Sequence, residues 1–252
     1  MTSLSRERRQ WLLPIALLAA WQLATTTSDG PNVLPTPMQI GEALLDALVS
    51  GRLPADALHT FGAALASWGI CLVVGIPLGM ALGSSAKLRI MLSLFIELLR
   101  PVPAVALIPL AILAFGFSLQ TEISVTVFAS VWPVLFSSKS GIERLHARMF
   151  EVAATLHLSR SHALRSVVTP AALREILVGA RLSFSLCLVV SVVAEMVGNP
   201  AGLGWGLVRA QEAMKASEMF AYLFAIGTLG VFANFALDFA VGRLLPGLYQ
   251  RN

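Results

Sequence analysis

Charge is scarce in this chain: of its 252 residues 13% are charged and 56% hydrophobic, where soluble domains carry about 25% charged residues. That shortage excludes an ordinary water-soluble domain. Cysteine is nearly absent as well, and Cys71 and Cys187 both fall inside apolar runs without the paired spacing of a disulfide framework or metal site. They read as free, buried thiols. The four histidines, His59, His146, His157 and His162, stand at no ligand spacing, so no metal site is expected and each reads as a loop residue. There is no G-x-x-x-x-G-K-[ST] phosphate loop and no nucleophile paired with a base. The chain therefore reads as a non-enzyme, without a cofactor, that must draw energy from a partner. Its net charge of +4 does not indicate nucleic acid, because the basic residues fill gaps between apolar runs and do not gather on one aromatic-bearing face.

What is present is a series of apolar runs. A bilayer core of about 30 Å asks for about 20 mainly apolar residues per spanning helix, and six runs meet or approach that: Trp11 to Thr27, Phe61 to Gly83, Ile90 to Phe117, Ile123 to Ser137, Ile176 to Gly198 and Phe220 to Gly242. The expected fold is an all-α integral membrane protein with about six transmembrane helices, a single domain over 1–252. The first run follows Arg6, Arg8 and Arg9 and has the outline of a signal peptide, but no A-x-A cleavage site follows it, so it reads as a span.

Lys and Arg accumulate on the cytoplasmic side of a membrane protein. With the N-terminus inside, Arg6, Arg8, Arg9, Lys87, Arg89, Lys139 and the run of arginines from Arg144 to Arg174 all fall on that side. Only Arg52, Arg209 and Lys215 fall outside. Both termini are thus expected in the cytoplasm. Outside, "DGPNVLPTP" reads as a connector and "MQIGEALLDALVSG" as a short amphipathic helix with Ile40, Leu44, Leu45 and Leu48 on one face.

Residues 143–170 form a hydrophilic interlude too polar to span and too regular for a slack loop. Val152, Ala153 and Leu156, then Ala163, Leu164 and Val167, suggest two short helices meeting near His157 to Ser161, the second capped by Ser159 or Ser161.

In "ELLRPVPAVALIP", Pro101 and Pro103 remove backbone donors and disfavour helix before each ring, so the third run must break near Arg100. Ionisable residues within membrane segments mark candidate pathway positions; here these are Glu97, Arg100, Arg181 and Glu195. Arg100 suits an anionic solute through paired hydrogen bonds, or alternatively pairs with Glu97 at i,i+3 or anchors at the interface. Arg181 reads as snorkelling to the cytoplasmic face, and Glu195 as a gating residue or half of a structural pair. Gly75, Gly79 and Gly83 recur every four residues, which suits close helix packing. "GLGWG", 202–206, reads as a turn or rim outside the membrane.

The interlude opens with Glu151, Ala153 and Ala154 and closes with "VTPA", 168–171; around it stand "GIPLGMALG", "ELLRPVPAVALIPLAILAFG", "LVGARLSFSL", "VVAEMVG" and "GLGWGLVRAQE". This ordered set, covering roughly Leu34 to Leu245, resembles the permease subunits of type I ABC importers, in the branch that handles aliphatic sulfonates, taurine, nitrate and related small molecules. His157 stands where that family has glycine and Thr169 where it has leucine. The resemblance implies an N-terminal span over 11–27, a core of about 60–245 and a cytoplasmic coupling loop over 143–170, in the bacterial inner membrane. Glu151, Ala153, Ala154, His157, Ser159 and Arg160 would then contact the ATPase, with Arg100, Glu97 and Glu195 along the substrate pathway. It further implies a second permease copy, two cytoplasmic ABC ATPase subunits and an extracytoplasmic solute-binding protein. The solute expected is a small organic anion such as an alkanesulfonate or taurine; nitrate, a small heterocycle and an ATP-independent secondary transporter are the alternatives.

Overall fold

The structure, a computed structural model, describes residues 4–26, 34–144 and 169–244. These are helical almost throughout, and no strand occurs among the described residues. The helices are α1 (Leu4–Thr26), α2 (Pro37–Val49), α3 (Arg52–Ser84), α4 (Ala86–Leu99), α5 (Ile108–Phe115), α6 (Leu119–Glu143), α7 (Thr169–Gly198), α8 (Gly202–Glu212) and α9 (Ala216–Leu244). A 3-10 turn, Ala104–Leu107, joins α4 to α5.

Local chemistry sets many of the boundaries. Thr36 and Gln39 form a reciprocal capping box before α2: the Gln39 N–H donates to Thr36 Oγ1 at 3.2 Å, and the Thr36 N–H to Gln39 Oε1 at 3.0 Å. Pro37 follows in the first turn, where its missing N–H costs nothing. Gly51 turns the chain from α2 into α3 at φ 74°, a conformation glycine reaches without Cβ strain. Ser85 and Ser118 cap α4 and α6 by accepting from the backbone N–H groups of Leu88 and Thr121.

Four helices, α3, α6, α7 and α9, are long and apolar enough to cross a bilayer, and α4 with the segment through α5 makes a fifth if counted as one span. That pair is bent by 83° at Pro101 to Pro103, the break expected from the two prolines. The first of the six expected runs is a helix, α1, but does not join this set. Gln10, Gln22 and the arginines before Trp11 dilute its apolar stretch.

The core is a three-helix block in which α6 packs along both α3 and α7. Small residues let the backbones approach, as the glycine spacing led one to expect. A Cβ on Gly75 would stand 3.0 Å from Val134 Cβ, one on Gly79 would meet the Leu135 carbonyl and Ser138, and one on Gly83 would lie 2.7 Å from Ile142 Cβ. Gly179 of α7 is seated against Pro133 O and Ser137 in the same way. Polar side chains stitch the block: Ser183 Oγ donates to Ser130 O at 2.7 Å, Trp68 Nε1 to Ala180 O at 2.8 Å. Cys71 and Cys187 are free and buried together in this core, with Val134 and Phe184.

Two expectations differ in detail. In α2 the inward face is Ile40, Leu44 and Ala47, while Leu45 and Leu48 point away, because α2 is squeezed between α3 and α9 and buries a narrower stripe than the four leucine and isoleucine positions suggested. "GLGWG" is helical and not a loop turn: it is the first turn and a half of α8, and Gly202, Leu203, Gly204 and Gly206 are buried. Its glycines are there to admit neighbours, the Glu195 carboxylate at Gly202 and Gly204 and the Tyr222 ring at Gly206.

Candidate functional site

Arg100 ends α4 at the break. Its guanidinium lies 4.8 Å from the centroid of the Phe136 ring on α6, a cation–π arrangement that holds the charge beside the span. A cavity of about 180 Å³ opens there, lined by Arg89, Ser93, Ile96, Glu97, Arg100, Phe136, Lys139 and Leu82. Glu97 and Arg100 thus share one cavity, and no ion pair joins them among those observed in the described residues. The acid that does pair locally is Glu143, which takes Arg89 at 2.6 Å and Lys139 at 3.8 Å. The lining is therefore cationic on balance, with an aromatic wall.

Arg181 does not simply reach for the membrane surface: it forms an ion pair with Asp238 and so ties α7 to α9. Glu195 is fully buried and lies away from the Arg100 cavity. Its Oε2 accepts the Gly204 N–H at 2.8 Å, while Thr60 Oγ1 accepts the Leu203 N–H at 2.9 Å. The first N–H groups of a helix have no partner within it, and its N-terminus carries partial positive charge, so a carboxylate there both caps and attracts. Glu195 pins α8 onto the block by this contact. The far side of α8 is held by Tyr222, whose hydroxyl donates to Asp56 Oδ2 at 2.9 Å and accepts from Arg209 at 3.1 Å.

Beside Glu195 stands a group that the spacing rules passed over. Glu122, in the first turn of α6, is completely buried, with His59 Nε2 at 3.2 Å and the Asn199 amide nitrogen at 2.8 Å from its Oε2. His59 is on a helix, not a loop. His59, Glu122 and Glu195 bring ligand-capable atoms within 4.8 Å of one another, although His59 and Glu122 are separated by 63 positions in the chain. Only the packing of α3, α6 and α7 could bring them together; the one visible signal was Glu195 inside an apolar run, with Glu122 just before another.

Glu151, Ala153, Ala154, His157, Ser159 and Arg160, the expected ATPase contacts, lie outside the described residues. The two feet of that segment are described. At the end of α6, Arg144 pairs with Glu175 of α7 at 3.0 Å, and Gly141 lies against Ala172 closely enough that a Cβ would stand 3.1 Å from the alanine Cβ. Thr169 and Pro170 open α7, proline falling in the first turn, where no intrahelical N–H is needed.

Comparison with known proteins agrees with this architecture. The fold matches a chain of the MetNI methionine ABC transporter in an inward-facing conformation with a TM-score of 0.68, covering 80% of this chain and 98% of that one at 18% identity. A Bacillus subtilis (strain 168) protein named for aliphatic sulfonate transport, the permease SsuC, is 30% identical over 230 residues, 89% of this chain and 83% of the relative. The taurine transport system permease protein TauC of Escherichia coli (strain K12) is 31% identical over 239 residues, 93% of this chain and 87% of its own. Residues 75–249 match the family described as binding-protein-dependent transport system inner membrane component. The bundle of apolar helices, the close-packed block and the sequence kinship together make this chain a member of that family, an ABC importer permease subunit of the inner membrane.

Proposed function

We propose that this permease carries a small organic anion of the alkanesulfonate or taurine type, and that the cavity at the α4 break lies on its path. The observation that carries the solute class is the cationic lining: Arg100, Arg89 and Lys139 face one cavity whose acids are Glu97 and, through its pairs, Glu143. A guanidinium bonds the oxygens of a sulfonate two at a time, and an aromatic wall accepts the short alkyl part. The names of the two relatives, aliphatic sulfonates and taurine, point the same way. Glu97 sets the balance of charge at the mouth. Glu195 acts at one remove, through the seating of α8 at the entrance.

The segment beginning at Glu151 couples this path to ATP hydrolysis. Ala153 and Ala154 offer a small-residue face that lets an ATPase surface approach, Glu151 an anchoring charge at a helix start, and His157, Ser159 and Arg160 the turn that follows. Two copies of the chain form the passage about a two-fold axis, the commonest closed symmetry, with two ATPase subunits below and the solute-binding protein above. Both termini lie in the cytoplasm, so that the Glu122 and Glu195 ends of α6 and α7 face outward. The chain breaks no bond in the solute. ATP-driven closure and binding-protein docking bias a two-state passage.

The test is uptake of labelled taurine and of an alkanesulfonate by proteoliposomes holding the permease, its ATPase and its binding protein. Arg100→Gln is expected to lower uptake about tenfold or more while the ATPase remains bound, since one charge-assisted bond of ~1.5–3 kcal/mol is lost. Glu151→Arg is expected to abolish uptake and release the ATPase. Full uptake of both solutes by Arg100→Gln would overturn the role given to the cavity.

A further inference from the structure

Of the buried cluster of His59, Glu122 and Glu195, the transport scheme above uses only the contact of Glu195 with α8. Three helices, α3, α6 and α7, each supply one member, and the candidate donor atoms are an imidazole nitrogen and two carboxylate oxygens. Both carboxylates are fully buried. Each also has one oxygen, Glu122 Oε1 and Glu195 Oε1, with no hydrogen-bond partner among the described residues. A buried carboxylate with an open lone pair is expensive unless a proton or cation completes it. Neither a lysine nor an arginine does so, for the ion pair observed at this cluster is with His59.

The hydrogen bonds around His59 sharpen the point. Its Nε2 lies 3.0 Å from the Asn199 amide nitrogen and 3.2 Å from Glu122 Oε2, and the same amide nitrogen lies 2.8 Å from that oxygen. With the proton on Nε2, both Nε2 and the Asn199 amide donate to Glu122 Oε2, which satisfies that oxygen and still leaves Glu122 Oε1 and Glu195 Oε1 open. A cation in place of that proton would bridge the same edge and reach the open oxygens as well. With metal–ligand lengths of about 2.0–2.1 Å a 3.2 Å edge subtends about 100°, which lies between the octahedral and tetrahedral angles.

We propose that His59, Glu122 and Glu195 form a binding site for a divalent transition-metal cation of the zinc type, joining α3, α6 and α7 at the end where α8 docks. One nitrogen and two carboxylate oxygens are a donor set that suits zinc and leaves a position for water. The entry is at His59, whose side chain is 28% exposed beside a Glu122 that is 0% exposed. A metal here neutralises two buried charges and cross-links three elements. Because Glu195 also caps α8 through Gly204, the ion fixes α8 as well.

The test uses the full chain, free of any histidine tag, purified in detergent, stripped with a chelator and dialysed against Zn²⁺. About one Zn²⁺ per chain is expected by elemental analysis, with a rise in Tm that the stripped protein lacks. His59→Gln and Glu122→Gln are each expected to lower bound zinc about tenfold or more. Co²⁺ loading of the wild-type chain reads the site without any variant, through the visible bands and imidazole coordination of a low-symmetry nitrogen and oxygen site. Zinc that persists in the His59→Gln, Glu122→Gln double variant overturns the proposal, as does a Co²⁺ spectrum without an imidazole ligand. So does a wild-type chain that binds no zinc while Glu122→Gln alone raises Tm, which assigns the pair a shared proton instead.

Discussion

The α3, α6, α7 block and the α4 arm are similarly apolar in sequence yet opposite in packing. In the block, glycines at 75, 79 and 83 meet α6 at contact distance, and even serines and threonines at 67, 121, 126, 130, 138, 183 and 191 are buried. In α4 no residue is buried at all, and Ile90, Met91, Leu94, Phe95 and Leu98 are all largely exposed. Hydrophobicity thus does not separate inside from outside in this protein, since lipid tails are as apolar as leucine. Residue size matters at the contact faces. Gly75, Gly79 and Gly83 of α3 and Gly179 of α7 let α6 lie directly on them, whereas the leucines and Phe95 of α4 are left for lipid or another chain.

The sharpest way to break that contrast is to give the block a side chain where it has none. Gly79→Leu drives its Cβ into the Leu135 carbonyl and Ser138, and the obstacle is largely backbone that cannot rotate away. Overpacking of a rigid core costs about 1–3 kcal/mol and occasionally more, and this site is expected at the upper end or beyond it. Size-exclusion chromatography in detergent should show loss of the monodisperse chain. A smaller effect is expected at Glu195→Ala, measured in chelator so that no metal contributes. The Gly204 N–H is then left without its acceptor inside the bundle, which costs about 1–3 kcal/mol. Glu195→Gln keeps an acceptor oxygen and should fall between it and wild type in thermal unfolding. Equal stability of Glu195→Ala and wild type would deny the carboxylate its capping role.

Much of this was legible in the sequence for reasons that are local. Prolines 101 and 103 act on their own backbone, so the break between α4 and α5 could be placed without any neighbour. The same holds for the glycine stripe of α3, whose spacing of four is a property of one helix. What escaped is what depends on juxtaposition. Glu122 and Asn199 are 77 positions apart and meet because α6 begins where α7 ends, the Ser118 N–H donating to Gly198 O at 3.1 Å. "GLGWG" misled for a related reason: five residues rich in glycine favour a turn locally, and Gly202 does turn at φ 86°, but the buried Glu195 and Tyr222 on other helices explain why the helix that follows needs glycine too. Arg100 could be singled out from its place beside the prolines, but its seat over Phe136 depends on α6, a separate helix, coming alongside the break.

The α4 arm tests the other half of the comparison, and here the expected effect on stability is the smallest. Leu94 and Phe95 are each 62% exposed, so Leu94→Ala with Phe95→Ala removes contacts with lipid or detergent and leaves the chain's own core intact. A surface change of this kind is expected to shift stability by no more than about 0.5 kcal/mol. If a second copy packs on that face, the same change should be felt by it, because side chains left largely exposed within the chain are free to interlock with a partner. Crosslinking in membranes then separates the two uses of the surface. Unchanged thermal unfolding with fewer crosslinked pairs assigns the face to contact with a second copy, whereas unchanged pairing assigns it to lipid.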